Sequence, residues 1–427
     1  MLRQHMFSRF IYSIKNNPFD FIYFLFYAGI LATLAMVLVN PDEALKVFIF
    51  STALSLPLIG KNIKHVCSNK QNLVLPVMLL LFGLLQIIWV EIFKQPGSAF
   101  TGAYRSYQNG GKVMIFAALV MTALASREPC ANTTRITSIW TILTAIGLYL
   151  FAGYEVAGAP DIMTYRVALG FEHQTGTAYA LTLIALLASQ AIINLRLKHT
   201  VALYLLHFLI SLAVIITTQT RAAILVYPIL SVGLFLMYYR HNRTMLLRAL
   251  LGFVILVGVA AIPLKPIIES RYQNFLVDLH SYNQNNSNTS IGARLAMQRA
   301  GIEAGKVHHW GQSLEQRGAE IQRLAVQDTS LQGALVFIDV HLHNEMVDTF
   351  SLKGIPGVVV LLLLYTAMFL IAYWQRSPLL FVVSGAIAVY GLSDLLLYAK
   401  GEALSSVLAL CVAAVLSSNP TRERCHG

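Results

Sequence analysis

Charge is what this sequence has least of. Asp, Glu, Lys and Arg make up 12% of its 427 residues, about half of the 25% carried by a soluble globular protein. That shortage argues against a water-soluble enzyme, and a 56% hydrophobic content excludes a disordered chain. Cysteine is scarce as well. Cys67, Cys130 and Cys425 fall in segments assigned below to the cytoplasm and Cys411 in an apolar run, so no structural disulfide is expected. Also missing are an Asp-x-Asp pair for a divalent ion, a P-loop, a dinucleotide fingerprint and a Gly-x-Ser-x-Gly elbow. ATP-driven transport and serine hydrolysis lose support accordingly. Acids able to relay protons inside a membrane are few, Glu91 and Asp394 being the main ones.

What the chain has in abundance is long apolar runs. About 20 such residues span the hydrocarbon core of a bilayer, and twelve runs come near that length: 19–39, 44–60, 73–93, 112–126, 138–157, 176–194, 200–217, 222–239, 247–268, 356–374, 378–397 and 403–418. The first is too long for a signal peptide and no small-residue cleavage site follows it, so it is expected to be an uncleaved helix. The fold class is therefore an all-α polytopic membrane protein of about twelve transmembrane helices.

Net charge is +11. In a soluble domain that would suggest nucleic acid; here it orients the chain. With the N-terminus inside, sixteen basic residues, among them Lys61, Arg135, Arg196, Arg240 and Arg376, fall in cytoplasmic segments, against six in the short outer loops. Both termini are then cytoplasmic. The same topology puts one large polar segment, 269–355, outside the membrane. The chain divides into helices 1–9 over 1–268, a mostly helical periplasmic loop domain over 269–355, and helices 10–12 with a cytoplasmic tail over 356–427. Chemistry is expected in the long loop, where helical periodicity covers Ile291–Gly305 and Ser313–Gln327.

Its densest polar stretch is Asp339-Val340-His341-Leu342-His343-Asn344-Glu345. Asn344 can cap a helix that stops near Gly354 and Pro356. Three readings stand side by side. His341 or His343 is a general base, since a neutral imidazole suits a helix start. Alternatively Asp339, His341 and His343 lie on one face of a strand and bind a metal. Or the two histidines only pack the loop onto the membrane. A second set is the outward arginines. Arg221 follows Thr217-Thr218-Gln219-Thr220 at the membrane boundary, Arg294 opens a helix, and Arg166 and Arg271 border the same face. A guanidinium fork matches phosphate bidentately and stays charged, so these arginines suit a lipid-linked pyrophosphate; headgroup snorkelling is the plainer alternative for Arg166 and Arg271.

At these residues the chain resembles the O-antigen ligase family, of the O-antigen ligase and polymerase superfamily, over nearly its whole length. Thr218-Gln219-Thr220-Arg221-Ala222 is similar to the family's arginine motif and Gly292-Ala293-Arg294-Leu295 to its second. His343-Asn344, followed by Gly354 and Gly357, is similar to its histidine signature, and Arg271-Tyr272-Gln273-Asn274 looks like enterobacterial members. The resemblance implies a GT-C-like enzyme of the bacterial inner membrane, working at the periplasmic face. It implies transfer of O-antigen polysaccharide from undecaprenyl pyrophosphate to a sugar hydroxyl of lipid A–core, completing lipopolysaccharide by an inverting glycosyl transfer. It selects His343 as the base, leaves His341 and Asn344 in supporting roles, and gives Arg221, Arg294, Arg166 and Arg271 to the pyrophosphate. It implies no metal and no cofactor; the partners are the two lipid-linked substrates and membrane lipids, with no nucleic acid. The histidine signature is shared with O-antigen polymerases, which leaves that activity as the alternative. A lipid-linked oligosaccharide transporter is the non-enzymatic one.

Overall fold

A computed structural model describes residues 18–127, 131–161, 164–284 and 286–418, apart from several side chains between 257 and 271. The described residues are helical with connectors and contain no strand. In chain order the helices are α1 (Pro18–Met36), α2 (Pro41–Lys61), α3 (Ile63–Ser68), α4 (Lys70–Phe93), α5 (Thr101–Ala125), α6 (Ala131–Ala157), α7 (Gln174–Asn194) and α8 (Thr200–Thr217). There follow α9 (Arg221–Tyr239), α10 (Arg243–Asn283), α11 (Ser290–Val307), α12 (Leu314–Gln327), α13 (Glu345–Trp374), α14 (Pro378–Gly391) and α15 (Lys400–Leu416), with a 3₁₀ segment at Thr329–Phe337. Nine of these described helices are long and apolar enough to cross a membrane, and α14 is a shorter apolar helix. The chain is a polytopic membrane protein.

Helix starts follow local chemistry. Asn40 caps α2 by accepting from the Glu43 amide at 3.2 Å, with Pro41 in the first turn, where a missing N–H is harmless. Ser313 and Gln316 close a reciprocal capping box on α12. Thr289 accepts from Gly292 N–H at 3.1 Å to start α11.

The bundle is organised around α7, whose apolar stretch is buried along its whole length. Its small residues, including Thr177, Ala178, Ala180, Thr182, Ala185 and Ala188, let α6, α8, α14 and α15 approach closely, the packing mode available where lipid supplies no hydrophobic drive. Large apolar side chains face outward instead. Ile92, Leu150, Leu225, Ile229 and Leu250 are exposed, as a lipid-facing surface requires.

Two expectations change. The eleventh apolar run, read to 397, stops being helical at Gly391, and residues 392–399 form a connector. Contacts from three helices hold that connector. Leu397 N–H donates to Glu345 Oε1 at 3.0 Å, Leu397 O accepts from Gln86 Nε2 at 3.3 Å, and α5 comes so close that a Cβ at Gly110 would collide with the Tyr398 carbonyl. The helix capped by Asn344 stops at Gly354 as expected: that residue takes φ 63°, outside helical geometry, and a second helical stretch runs on from it to Trp374. There the chain docks on the preceding loop: Ile355 N–H donates to His309 O at 2.8 Å and Gln312 N–H to Leu352 O at 2.9 Å. A side chain at Gly354 would strike the His309 carbonyl, so glycine is required. The second change is α10, which runs unbroken from Arg243 to Asn283 and carries the chain from the bundle into the long polar segment as one helix.

Candidate active site

The stretch 338–344 is a turn, not a strand, and buried polar groups set its shape. Asp348, on the first turn of α13, accepts the Leu342 amide at 3.1 Å, Arg317 Nη1 at 2.9 Å and the Tyr107 hydroxyl at 2.5 Å. Arg317 spends its second nitrogen on Val340 O at 2.7 Å. Lys353 lies over the rings of Tyr107 and Trp89, 4.4 and 5.0 Å from their centroids. The backbone on both sides of His341 is therefore tied to one buried ion pair.

His343 then adopts φ 49°, in the left-handed region. Asn344 follows as the cap of α13, its side-chain oxygen accepting from Met346 and Val347 amides at 3.1 Å each and its Nδ2 donating to Leu392 O at 3.1 Å. That last bond draws the 392–399 connector against the histidines. His343 Nδ1 lies 3.1 Å from Asp394 Oδ1, and His341 Nε2 lies 3.7 Å from the same oxygen. The two imidazole centroids are 4.4 Å apart, edge to face, with Tyr398 5.2 Å from His341 and Phe337 5.9 Å from His343.

The protons can be assigned from donors and acceptors. Asp394 as carboxylate only accepts, so His343 Nδ1 carries a proton. The His343 backbone N–H donates to His341 Nδ1 at 3.3 Å, so that nitrogen is unprotonated and His341 is the Nε2–H tautomer. Burial pushes His341 down to about 4, Asp394 pulling the other way and His343 adding to the drop. For Asp394, burial opposes ionisation, but the His343 hydrogen bond and the nearby His341, His343 and Arg294 hold its carboxyl below the ordinary range. The arrangement leaves His343 with a fixed ring, an anionic partner on Nδ1 and Nε2 as its acceptor, the geometry of an oriented base.

Arg294 stands near the start of α11, within electrostatic range of Asp394. Tyr179 meets Ser393, hydroxyl to hydroxyl, at 3.1 Å. Arg166 and Arg221 gather about the α8–α9 connection. Arg166 Nε donates to Thr218 O at 3.1 Å, Gln219 takes φ 54°, and Arg221 opens α9 with Nη1 3.7 Å from Asp278 Oδ2 on α10. Arg271 belongs to α10, and its side chain lies outside the described residues. Cys130 and Cys425 also lie outside them, while Cys67 and Cys411 are free thiols.

The Asp339–His341–His343 metal reading does not stand, because without a strand Asp339 is exposed and apart. Among the described residues, the carboxylate that joins the two histidines is Asp394, with ligand atoms within 4.8 Å of one another. Sequence reasoning had noted Asp394 only as an acid inside an apolar run. It had missed Arg317, although Leu314, Arg317, Gly318, Ile321 and Ala325 share the buried stripe of α12, and an arginine on such a stripe signals a buried partner.

The sequence profile of a family described as O-antigen ligase matches residues 206–362. A curated O-antigen ligase from Escherichia coli (strain K12) is 31% identical over 396 residues, covering 91% of this chain and 92% of the relative.

Proposed function

The chain belongs to the O-antigen ligase family, and from that premise we propose that it transfers O-antigen polysaccharide from undecaprenyl pyrophosphate to a sugar hydroxyl of lipid A–core. The observation that carries the mechanism is the 3.1 Å contact between His343 Nδ1 and Asp394 Oδ1. It fixes the tautomer and leaves Nε2 as the base.

In the proposed step the acceptor hydroxyl attacks the anomeric carbon of the donor from the face opposite the leaving group. As the new C–O bond forms, the hydroxyl proton passes to His343 Nε2. The bond from the anomeric carbon to the pyrophosphate oxygen breaks, and undecaprenyl pyrophosphate departs with that electron pair. Arg294 and Arg221 neutralise the developing charge, with Arg166 and Arg271 in the same anion site. Arg221 suits this task because Asp278 holds it only at 3.7 Å, beyond hydrogen-bond length. Asp394 stabilises the imidazolium, and His341, neutral and bonded to the His343 amide, holds the turn.

The protein would act in the inner membrane of a bacterium, with the 269–355 segment and His343 facing the periplasm and both termini in the cytoplasm. The 1–268 and 356–427 portions would supply the bundle through which both lipid substrates enter. No metal or other cofactor takes part in this scheme.

Purified protein, a defined undecaprenyl pyrophosphate donor and lipid A–core test the proposal. Product on the core, at a rate unchanged by excess chelator, is expected. Donor chains lengthened without attachment to the core would make the protein a polymerase, and loss of rate in chelator would give the histidines and Asp394 to a metal.

A further inference from the structure

The bundle has a second polar concentration, at the end remote from His343. Past Gly354, residues 355–374 carry the chain to that end over about 30 Å of helix. Here α6 begins, α7, α9 and α15 finish, and α13 turns into α14 around a cavity of about 740 Å³. Arg135, Arg196 and Arg376 line it, from α6, from the turn after α7 and from the turn after α13. All three are exposed, and none is paired with a carboxylate among the described residues. Arg196 and Arg376 each stand at φ 49°, just past a helix end. Glycine is the residue that suits such a turn; arginine there places a charge at some conformational cost.

The same cavity is lined by an unpaired acceptor. Gln190 is 5% exposed, and its Nε2 donates to Asn194 Oδ1 at 2.9 Å, while Asn194 Nδ2 donates to Leu416 O at 2.8 Å. That relay fixes the direction of the amide. It leaves Gln190 Oε1 buried on the cavity wall with no donor, a state that is unfavourable unless a ligand supplies one. Ile139, also on the wall, is exposed to the surroundings. A ligand that meets all of these groups at once brings an anion, an O–H or N–H donor and an apolar part.

We propose that this cavity binds the headgroup of an anionic glycerophospholipid that carries a free hydroxyl. The phosphate sits among Arg135, Arg196 and Arg376, the headgroup hydroxyl donates to Gln190 Oε1, and the acyl chains leave past Ile139. Choline headgroups fail twice, since they cancel the charge and have no donor. The site is separate from the transfer chemistry and does not depend on it.

Native mass spectrometry of the purified full chain, titrated with three lipids, tests this. Phosphatidylglycerol should bind more tightly than phosphatidylmethanol, which has the same charge and no hydroxyl, and both more tightly than phosphatidylcholine. Arg196→Gln with Arg376→Gln should weaken phosphatidylglycerol by roughly tenfold or more. Gln190→Leu should bring phosphatidylglycerol down to the phosphatidylmethanol level and leave the latter unchanged. Equal retention of phosphatidylglycerol and phosphatidylcholine by the wild type overturns the proposal. So does displacement of the lipid by millimolar inorganic phosphate, which would make this a site for a soluble anion. If the double variant does not fold, Arg135→Gln carries the test, and unchanged affinity there overturns it.

Discussion

Arg317 and Asp348 meet at 2.9 Å with 0% and 1% of their side chains exposed, and together they grip the backbone on both sides of His341. The pair touches neither His343 nor Asp394 directly. It acts by fixing Val340 and Leu342, which fixes the turn that points His343 at the 392–399 connector.

Breaking one side of that pair should be costly. Arg317→Met strands a buried carboxylate, for which about 3–5 kcal/mol of destabilisation is expected, read as a lower melting temperature in detergent. Arg317→Met with Asp348→Leu should recover only part of the melting temperature, because the buried Lys353 then loses its leading carboxylate partner and keeps Glu345 alone. Transfer should stay impaired in the double variant, since Leu342 N–H and Val340 O have lost their partners. Full activity in it would mean that the turn holds itself.

The buried His341 predicts the direction of a pH effect. Its imidazole sits at about 4 in the folded protein against about 6.5 unfolded, so between those values the unfolded chain binds more protons. Its stabilising contribution is complete above about pH 6.5 and declines as pH falls toward 4. His341→Asn, which keeps an acceptor for the His343 amide, should flatten the melting temperature against pH across that window. An unchanged slope would assign the acid sensitivity to other groups.

Arg221 and Arg294 should respond differently to lysine. Both variants keep a charge and lose the fork. In the proposed step Arg294 meets charge that develops on the leaving pyrophosphate, so Arg294→Lys should lower kcat. Arg221→Lys should lower kcat too and in addition raise KM for the lipid-linked sugar, each effect roughly tenfold or more. Wild-type kinetics in both variants would rule out bidentate recognition of the pyrophosphate.

Much of the fold was legible because its signals are local. Apolar length marks the spans, and Ser313, Thr289 and Asn344 announce the helices they cap. The site was legible in part. The His343-Asn344 pair and Arg294 stand out by residue type, but Asp394 is 51 positions from His343, in a run whose hydropathy reads as continuous helix. The break at Gly391 comes from tertiary contacts with Glu345, Gln86 and Gly110, which no window of sequence contains. Alternation misled at Asp339, His341 and His343 because Asp348 folds that stretch into a turn.

The central claim is that His343 is the base and that Asp394 works through it. A double-mutant cycle on kcat with reconstituted donor and acceptor measures this most directly. His343→Ala should abolish transfer, Asp394→Asn should lower kcat by about 10²-fold or more with KM little changed, and the double variant should be no slower than His343→Ala alone. Activity surviving in His343→Ala, or two losses that multiply in the double variant, would contradict the account.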